Sequence, residues 1–396
     1  MTSKSGLDAT RAYAAQSPGS TPAPWQYESR DPRPDDVSIE VLFCGVCHTD
    51  IHFVENDWDM TVYPVVPGHE IIGRVTAVGP EVRRFKAGDL VGVGCLVDSC
   101  RECSSCTKGL EQYCVEGPVF TYNGIDRHDG RVTYGGYSER LLVSERFVAQ
   151  LPDGLDPAAA APILCAGITT YSPLRHVGVK PGDRVGVVGM GGLGHMGIKF
   201  AKAMGAEVTL FTRTAAKVDE GKRNGADHVV ISSDEEQMEA AAGSLQYLLD
   251  TVPVEHDLNP YMACLGVDGV YLLVGQLTPL SPPVEAFPMI LGRRSILGSA
   301  IGGMPETQEV LDFCAQHDIS CDIEMLDIRN IGEAYERMKR GDVRYRFVID
   351  MATLTGAAVV ALGDRAAALF TDDEHLGSEL LDAAADAGEL AWLGLQ

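Results

Sequence analysis

The sequence predicts an α/β protein in two parts: a doubly wound parallel sheet, and beside it a mostly β domain of irregular outline. Three observations predict it. From Arg184 onward short apolar runs (RVGVV, EVTLFTR, HVVIS, LQYLLDTV, GVYLLVG) alternate with helical or loop stretches such as LGHMGIKFAKAMG and TAAKVDEGKRNG, the pattern of βαβ units. A glycine-rich turn, GMGGLG at 189–194, stands between the first strand and the first helix of that series. Before Leu151 the chain is instead broken by frequent Gly and Pro and carries β-branched runs such as VSIEVLFC at 37–44, with few long helical patterns.

Taken in order, residues 1–160 read as the mostly β domain, with a cysteine-rich lobe at 95–115. Residues 161–298 read as the parallel-sheet domain. SILGSA, the helical PETQEVLDFCAQHD and the strand YRFVID are expected to leave the parallel sheet and return to the first domain, so 299–350 is assigned there. After Asp350 the texture shifts again. Residues 351–396 are rich in Ala and Leu and carry eight acids against one base, the composition of an appendage.

The chain has 396 residues and a formal net charge of −24. A surface that acidic repels nucleic acid and anionic membrane, so neither is an expected partner. No stretch has the apolar length of a bilayer span, and the first twenty residues lack the continuous apolar core of a signal peptide. A cytoplasmic protein is the expectation. The eleven cysteines are an odd number in a long chain, which argues against a disulfide framework.

Cys100, Cys103, Cys106 and Cys114 follow C-x2-C-x2-C-x7-C. Four thiolates so close in sequence can close a tetrahedron around zinc, and a site with four protein ligands is structural. Unrelated buried cysteines or an iron–sulfur cluster are the other readings, although the bacterial ferredoxin pattern has a shorter last gap and a following proline. A second set is dispersed. Cys47 in GVCHTD, His69 in PGHE and Cys165 in PILCAG offer two sulfurs and an imidazole, the ligand set of a catalytic zinc with one open position. Against this stands the use of a lone Cys as a small buried hydrophobe; in its favour, all three lie in turns flanked by Gly or Pro. Zinc so held acidifies a bound oxygen.

Gly189, Gly191 and Gly194 give G-x-G-x-x-G, with Gly192 and Leu193 inside it. The motif follows a strand and opens a helix, the context it requires for binding a dinucleotide pyrophosphate in a Rossmann fold. His195, just inside that helix, reads as a surface or packing residue. The next strand ends in FTRTAAK with no Asp or Glu to hold a ribose 2′-hydroxyl. Thr212, Arg213, Thr214 and Lys217 suit a 2′-phosphate instead, so NADP(H) is favoured over NAD. Solvated surface charge is the plain alternative for Arg213 and Lys217.

Together these motifs resemble the zinc-containing medium-chain dehydrogenases, in detail the cinnamyl alcohol dehydrogenase branch with its bacterial NADP-dependent aldehyde reductases. The likeness runs from about Trp25 to about Asp350. It implies a GroES-like catalytic domain, two zinc ions per chain and a homodimer with SILGSA as an edge strand. It further implies that Cys47, His69 and Cys165 bind catalytic zinc with Glu70 beside it, that Thr49 meets the substrate oxygen, that His52 exchanges its proton with solvent, and that Asp50 orients the site. Trp58, Met60, Cys95, Phe120, Pro288, Met289 and Ile290 fall where this branch lines its substrate pocket; as apolar residues they would serve equally as core. Phe120 stands where plant members usually carry Trp, which argues against a strict monolignol role. The implied activity is hydride transfer between NADPH and aromatic or aliphatic aldehydes. The tail DMATLTGAAVVALG resembles a piece of leucyl aminopeptidase, without that family's NTDAEGR metal motif. Two other functions follow from the same residues: a hydrolase carried by the tail, and an NADPH- and zinc-binding protein inactive as a chimera.

Overall fold

A computed structural model of the chain describes residues 9–275, 278–343 and 345–351, with the backbone of 366–370 and 390–394. Two large sheets organise it. The first, in the order Ile323–Asp327, Arg346–Asp350, Asp36–Val46, Ile71–Val78, Leu90–Val93, Ala149–Gln150, is mixed, and Arg140–Ser144 also pairs with Asp36–Val46. The second is six-stranded and parallel throughout, in the order His228–Ile231, Glu207–Thr212, Arg184–Val188, Leu245–Asp250, Leu265–Leu273, Ser295–Gly298. Numbered along the chain that order is 3-2-1-4-5-6, the doubly wound arrangement in which strand order reverses beside the first strand. Both faces of a parallel sheet are covered. That is why RVGVV and EVTLFT read as apolar runs rather than as alternations, and they are buried accordingly.

The expectation for the last pieces holds only in part. SILG at 295–298 does not leave the parallel sheet; it pairs with Leu265–Leu273 as the sixth strand and lies at the edge. A parallel crossover through the helix Ala286–Gly292 brings it there. The helix Met304–His317 then packs against the helix Ala166–His176, and the strands Ile323–Asp327 and Arg346–Asp350 enter the first sheet.

Register places the site. Asp36–Val46 pairs antiparallel with Ile71–Val78, Cys44 opposite Ile71, and with Arg346–Asp350, Val46 opposite Phe347. The turn at Cys47, the segment His69–Glu70 and the start of the strand at Arg346 therefore meet at one end of the sheet. Cys165 arrives from a different direction, after the short helical turn Ala161–Leu164 and at the N-terminus of Ala166–His176. Ile72 and Val348 of the first sheet share a core with Leu164, Ile168, Val187 and Leu249 around the second, so the two sheets are packed together next to that point. Among the described residues no helix is long and apolar enough to cross a membrane. The tail assignment beyond 351 lies outside the described residues, except that Ala366–Phe370 pairs parallel with Leu390–Gly394.

Candidate active site

Cys47 caps the helix His48–Glu55, and its backbone N–H donates to the Asp50 carboxylate at 2.9 Å. This reciprocal cap fixes where the thiol points. Cys47 Sγ lies 4.0 Å from Cys165 Sγ, and His69 Nε2 lies 3.2 Å from Cys165 Sγ. With a Glu70 oxygen, the potential ligand atoms of these four buried residues all fall within 4.8 Å of one another. Sulfurs 2.3 Å from a tetrahedral zinc stand roughly 3.8 Å apart, so the two thiols are spaced to share an ion and far too wide for a disulfide. Asp50, fully buried, faces His69 Nδ1 at 3.3 Å and also accepts from Gly68 N–H at 3.1 Å. A carboxylate behind a ligating imidazole fixes its orientation and tautomer.

The lobe cysteines also converge. Cys106 Sγ is 3.8 Å from Cys100 Sγ and 3.5 Å from Cys103 Sγ. Backbone N–H groups point at the sulfurs: Cys100 to Cys114 and Cys103 to Cys100, each at 3.3 Å, and Val115 to Cys103 at 3.4 Å. The amides of Cys106 and Val115 lower the Cys103 pKa to about 6. Backbone N–H groups aimed at three of the four sulfurs suit thiolates gathered on a cation, which fits the zinc reading of the four.

Thr49 Oγ1 is 3.6 Å from Cys47 Sγ. His52 lies one turn further along the same helix face, partly exposed, with Nδ1 2.6 Å from Asp57 Oδ2. Trp58 rests on His52 and Phe53, Phe53 on Tyr122, and Tyr122 stacks on His69 at 5.7 Å. Cys95 faces Cys165 and His69; the Cys165 thiol lowers its pKa against the effect of burial. The expected apolar pocket is thus only partly assembled in one chain. Met60, Phe120 and Ile290 are 53%, 44% and 75% exposed, Pro288 is half-buried, and Met289 packs toward the core around Tyr271.

Two residues that sequence reading missed complete the site. Arg346 is 2% exposed, its Nη1 3.5 Å from Glu70 Oε1 and donating to Val46 O at 3.1 Å. Glu70 fits only because position 45 is glycine: a Cβ there would stand 1.9 Å from Glu70 Oε2. Burial raises the Glu70 pKa to about 8, against the opposing pull of Arg346. Tyr122 is the other, as a ring wall behind His69. Neither has a local sequence signal.

The glycine turn abuts this cluster. Gly189 takes a φ of +88°, which L-residues avoid. The helix Gly192–Ala203 opens with no side-chain cap, leaving its first N–H groups for an anion. Arg346 Nε lies 2.6 Å from where a Cβ on Gly192 would stand, and Nε and Nη2 have no hydrogen-bond partner among the described residues. A buried guanidinium with unmet donors beside a helix N-terminus fits a pyrophosphate. Leu193 lies in the first turn of the helix. His195 is fully buried and stacked on Tyr345 at 4.4 Å, so of the two expected readings packing holds and surface does not. Thr212 is buried at the end of its strand; Arg213 and Thr214 follow it, exposed, while Lys217 pairs with Glu220 at 2.8 Å.

Residues 33–153 match the alcohol dehydrogenase GroES-like domain and 192–316 the zinc-binding dehydrogenase domain. The aldehyde reductase YahK of Escherichia coli strain K12 is 52% identical over 351 residues, 88% of this chain and 99% of that protein. The chain belongs to the zinc-binding alcohol dehydrogenases. NADP-dependent alcohol dehydrogenase C 1 of Mycolicibacterium smegmatis is 51% identical to this dehydrogenase, covering 88% of it and 99% of the relative. Among solved structures, a cinnamyl alcohol dehydrogenase from Sorghum bicolor is 45% identical with a TM-score of 0.84, covering 87% of this chain and 98% of that one. That of Helicobacter pylori, complexed with NADP(H), is 39% identical with a TM-score of 0.81 over the same shares. Residues 335–393 of this dehydrogenase match the catalytic domain of the cytosol aminopeptidase family, in line with the resemblance of the tail.

Proposed function

We propose that this dehydrogenase is a zinc-dependent, NADP(H)-linked enzyme working chiefly as an aldehyde reductase on aromatic or aliphatic aldehydes. The observation that carries this is the convergence of Cys47, His69 and Cys165 next to a glycine turn, with Arg346 reaching both. Zinc on those three residues supplies a Lewis acid to the substrate oxygen, and NADPH supplies the hydride. The chain does the rest. Asp50 holds His69 in its ligating orientation. The Thr49 hydroxyl gives a proton to the substrate oxygen, and His52, one turn away and partly exposed, replaces it from solvent. Asp57, bonded to His52 Nδ1, holds that imidazole in place. Trp58, Met60, Cys95, Phe120, Met289 and Ile290 form the apolar side of the substrate site. Cys100, Cys103, Cys106 and Cys114 hold a second, structural zinc.

Residues 1–160 and 299–350 form the catalytic domain and 161–298 the cofactor domain. The edge position of Ser295–Gly298, next to the exposed Phe287, Ile290 and Leu291, supports a homodimer, and the cytoplasm is the proposed location.

Aldehyde-dependent loss of NADPH absorbance tests the reading directly. We expect turnover with the full chain and with a chain ended after Asp350; NADPH binding without turnover in the full chain, with turnover regained in the shortened one, would establish the inactive chimera instead, and no turnover in either would overturn the reductase reading. Cofactor choice has its own test. Gly189, Gly191, Gly192, Leu193 and Gly194 cradle the pyrophosphate, and Thr212, Arg213, Thr214 and Lys217 surround the 2′-phosphate. Arg213→Asp should raise KM for NADPH about tenfold or more while NADH use changes little, since one charge-assisted phosphate contact becomes a repulsion. An unchanged NADPH/NADH ratio would place the 2′-phosphate elsewhere.

A further inference from the structure

At the carboxyl end of Leu245–Asp250 sits a carboxylate for which the reaction above has no use. Asp250 is fully buried. Its strand pairs with Arg184–Val188, and strand order reverses between the two, at the crevice where such sheets receive dinucleotides. A bare buried negative charge there opposes an anionic ligand.

Three groups hold this carboxylate. The Tyr271 hydroxyl donates to Oδ2 at 2.9 Å, and the Val252 N–H donates to Oδ1 at 3.0 Å. His256 Nε2 lies 3.1 Å from Oδ2, an ion-pair contact off the direction of a linear hydrogen bond. The other ring nitrogen, Nδ1, is 2.9 Å from the Val254 carbonyl oxygen. Both nitrogens therefore face oxygens that only accept. A neutral imidazole has a single N–H and would turn a lone pair toward one of them; the imidazolium suits both.

The loop bearing His256 is tied to the glycine turn. The Thr251 hydroxyl donates to Val188 O at 2.7 Å. Thr251 Oγ1 and the Val252 side chain stand 3.1 and 3.3 Å from where a Cβ on Gly189 would be. Whatever fixes this loop fixes the floor of the turn.

We propose that His256, as the imidazolium, is a positioning residue for the dinucleotide: it cancels the Asp250 charge at the mouth of the crevice and ties the Thr251–Asp257 loop beneath the glycine turn. This rests on the dinucleotide reading above. The groups facing the ring are Asp250 and, bonded to it, Tyr271 from the sheet; Asp257, next in the chain; and Tyr261, edge-on at 6.0 Å from the helix Asn259–Cys264. Arg213, on the turn after Thr212, acts on Tyr261. Asp250 raises the His256 pKa above the usual imidazole value, against the opposing effect of burial. The cation is thus present below that raised pKa and lost as pH climbs through it, so cofactor affinity falls with rising pH.

The test is NADPH fluorescence titration of the full chain between about pH 7 and about pH 9. The unmodified chain should lose about tenfold in affinity across that range, the scale of an unpaired buried charge partly screened at a crevice. His256→Gln should bind weakly and with a clearly smaller pH dependence, what remains belonging to Glu70 beside Arg346, with turnover at saturating NADPH changed far less than affinity. Adding Asp250→Asn to His256→Gln should restore binding, because the charge to be cancelled is gone. A His256→Gln titration that overlays the unmodified one, or a double variant no better than the single, overturns the assignment. Failure of the unmodified chain to bind NADPH at any pH would refute the dinucleotide reading instead.

Discussion

Cys165→Ala is expected to abolish aldehyde-dependent NADPH oxidation, leave NADPH binding in place and lower the zinc content from two ions to one per chain. Of the three proposed ligand side chains, Cys165 alone comes from the segment joining the two sheets, and its sulfur stands 4.0 Å from Cys47 Sγ and 3.2 Å from His69 Nε2. Its removal leaves one thiol and one imidazole, short of the three protein ligands that a catalytic zinc keeps. The fold should survive, because the helix Ala166–His176 takes no side-chain cap from Cys165. Loss of the group that stabilises charge developing on the substrate oxygen should lower kcat at least about a thousandfold. Metal analysis, NADPH titration and a thermal melt on one preparation separate this from unfolding. Activity within a few-fold of the parent would remove Cys165 from the site.

How much of this was legible in the sequence follows from how local each signal is. The glycine turn and the lobe cysteines were readable because their chemistry is complete within a short stretch. Cys47, His69 and Cys165 were readable from residue type and turn context, but their meeting depends on strand register, which spacing does not encode. Arg346 had no signal: it donates to the Val46 carbonyl 300 residues away, and its worth lies in facing Glu70 on one side and Gly192 on the other. Tyr122 is the same case, an aromatic in a loop until His69 lies against it. The helix Ala166–His176 escaped because it is buried through Leu174 and contains Pro173, so it shows no amphipathic period and carries a breaker. SILG was misassigned for a related reason: a short apolar strand fits either sheet, and only its parallel pairing to Leu265–Leu273 decides.

Arg346→Met should injure stability and cofactor binding together, and a second substitution should separate them. The guanidinium is 2% exposed and Glu70 is fully buried; their contact at 3.5 Å is the nearest compensation Glu70 has, since neither of its oxygens accepts a hydrogen bond among the described residues. At about pH 9, above the Glu70 pKa of about 8, removing Arg346 leaves a buried carboxylate that must stay unpaired or take up a proton, at a cost of up to about 3–5 kcal/mol, whereas replacing both with neutral groups costs far less. Arg346→Met alone should therefore melt several degrees lower, and Arg346→Met with Glu70→Gln should recover most of that loss. Cofactor affinity should not recover, because the donors beside Gly192 are absent in both variants; NADPH should bind about tenfold or more weakly in each. Stability follows the balance between Glu70 and Arg346, whereas binding follows Arg346 alone. If the double variant regained NADPH affinity along with its melting temperature, the unmet donors at the glycine turn would have no role in holding the cofactor, and Arg346 would serve only to neutralise Glu70.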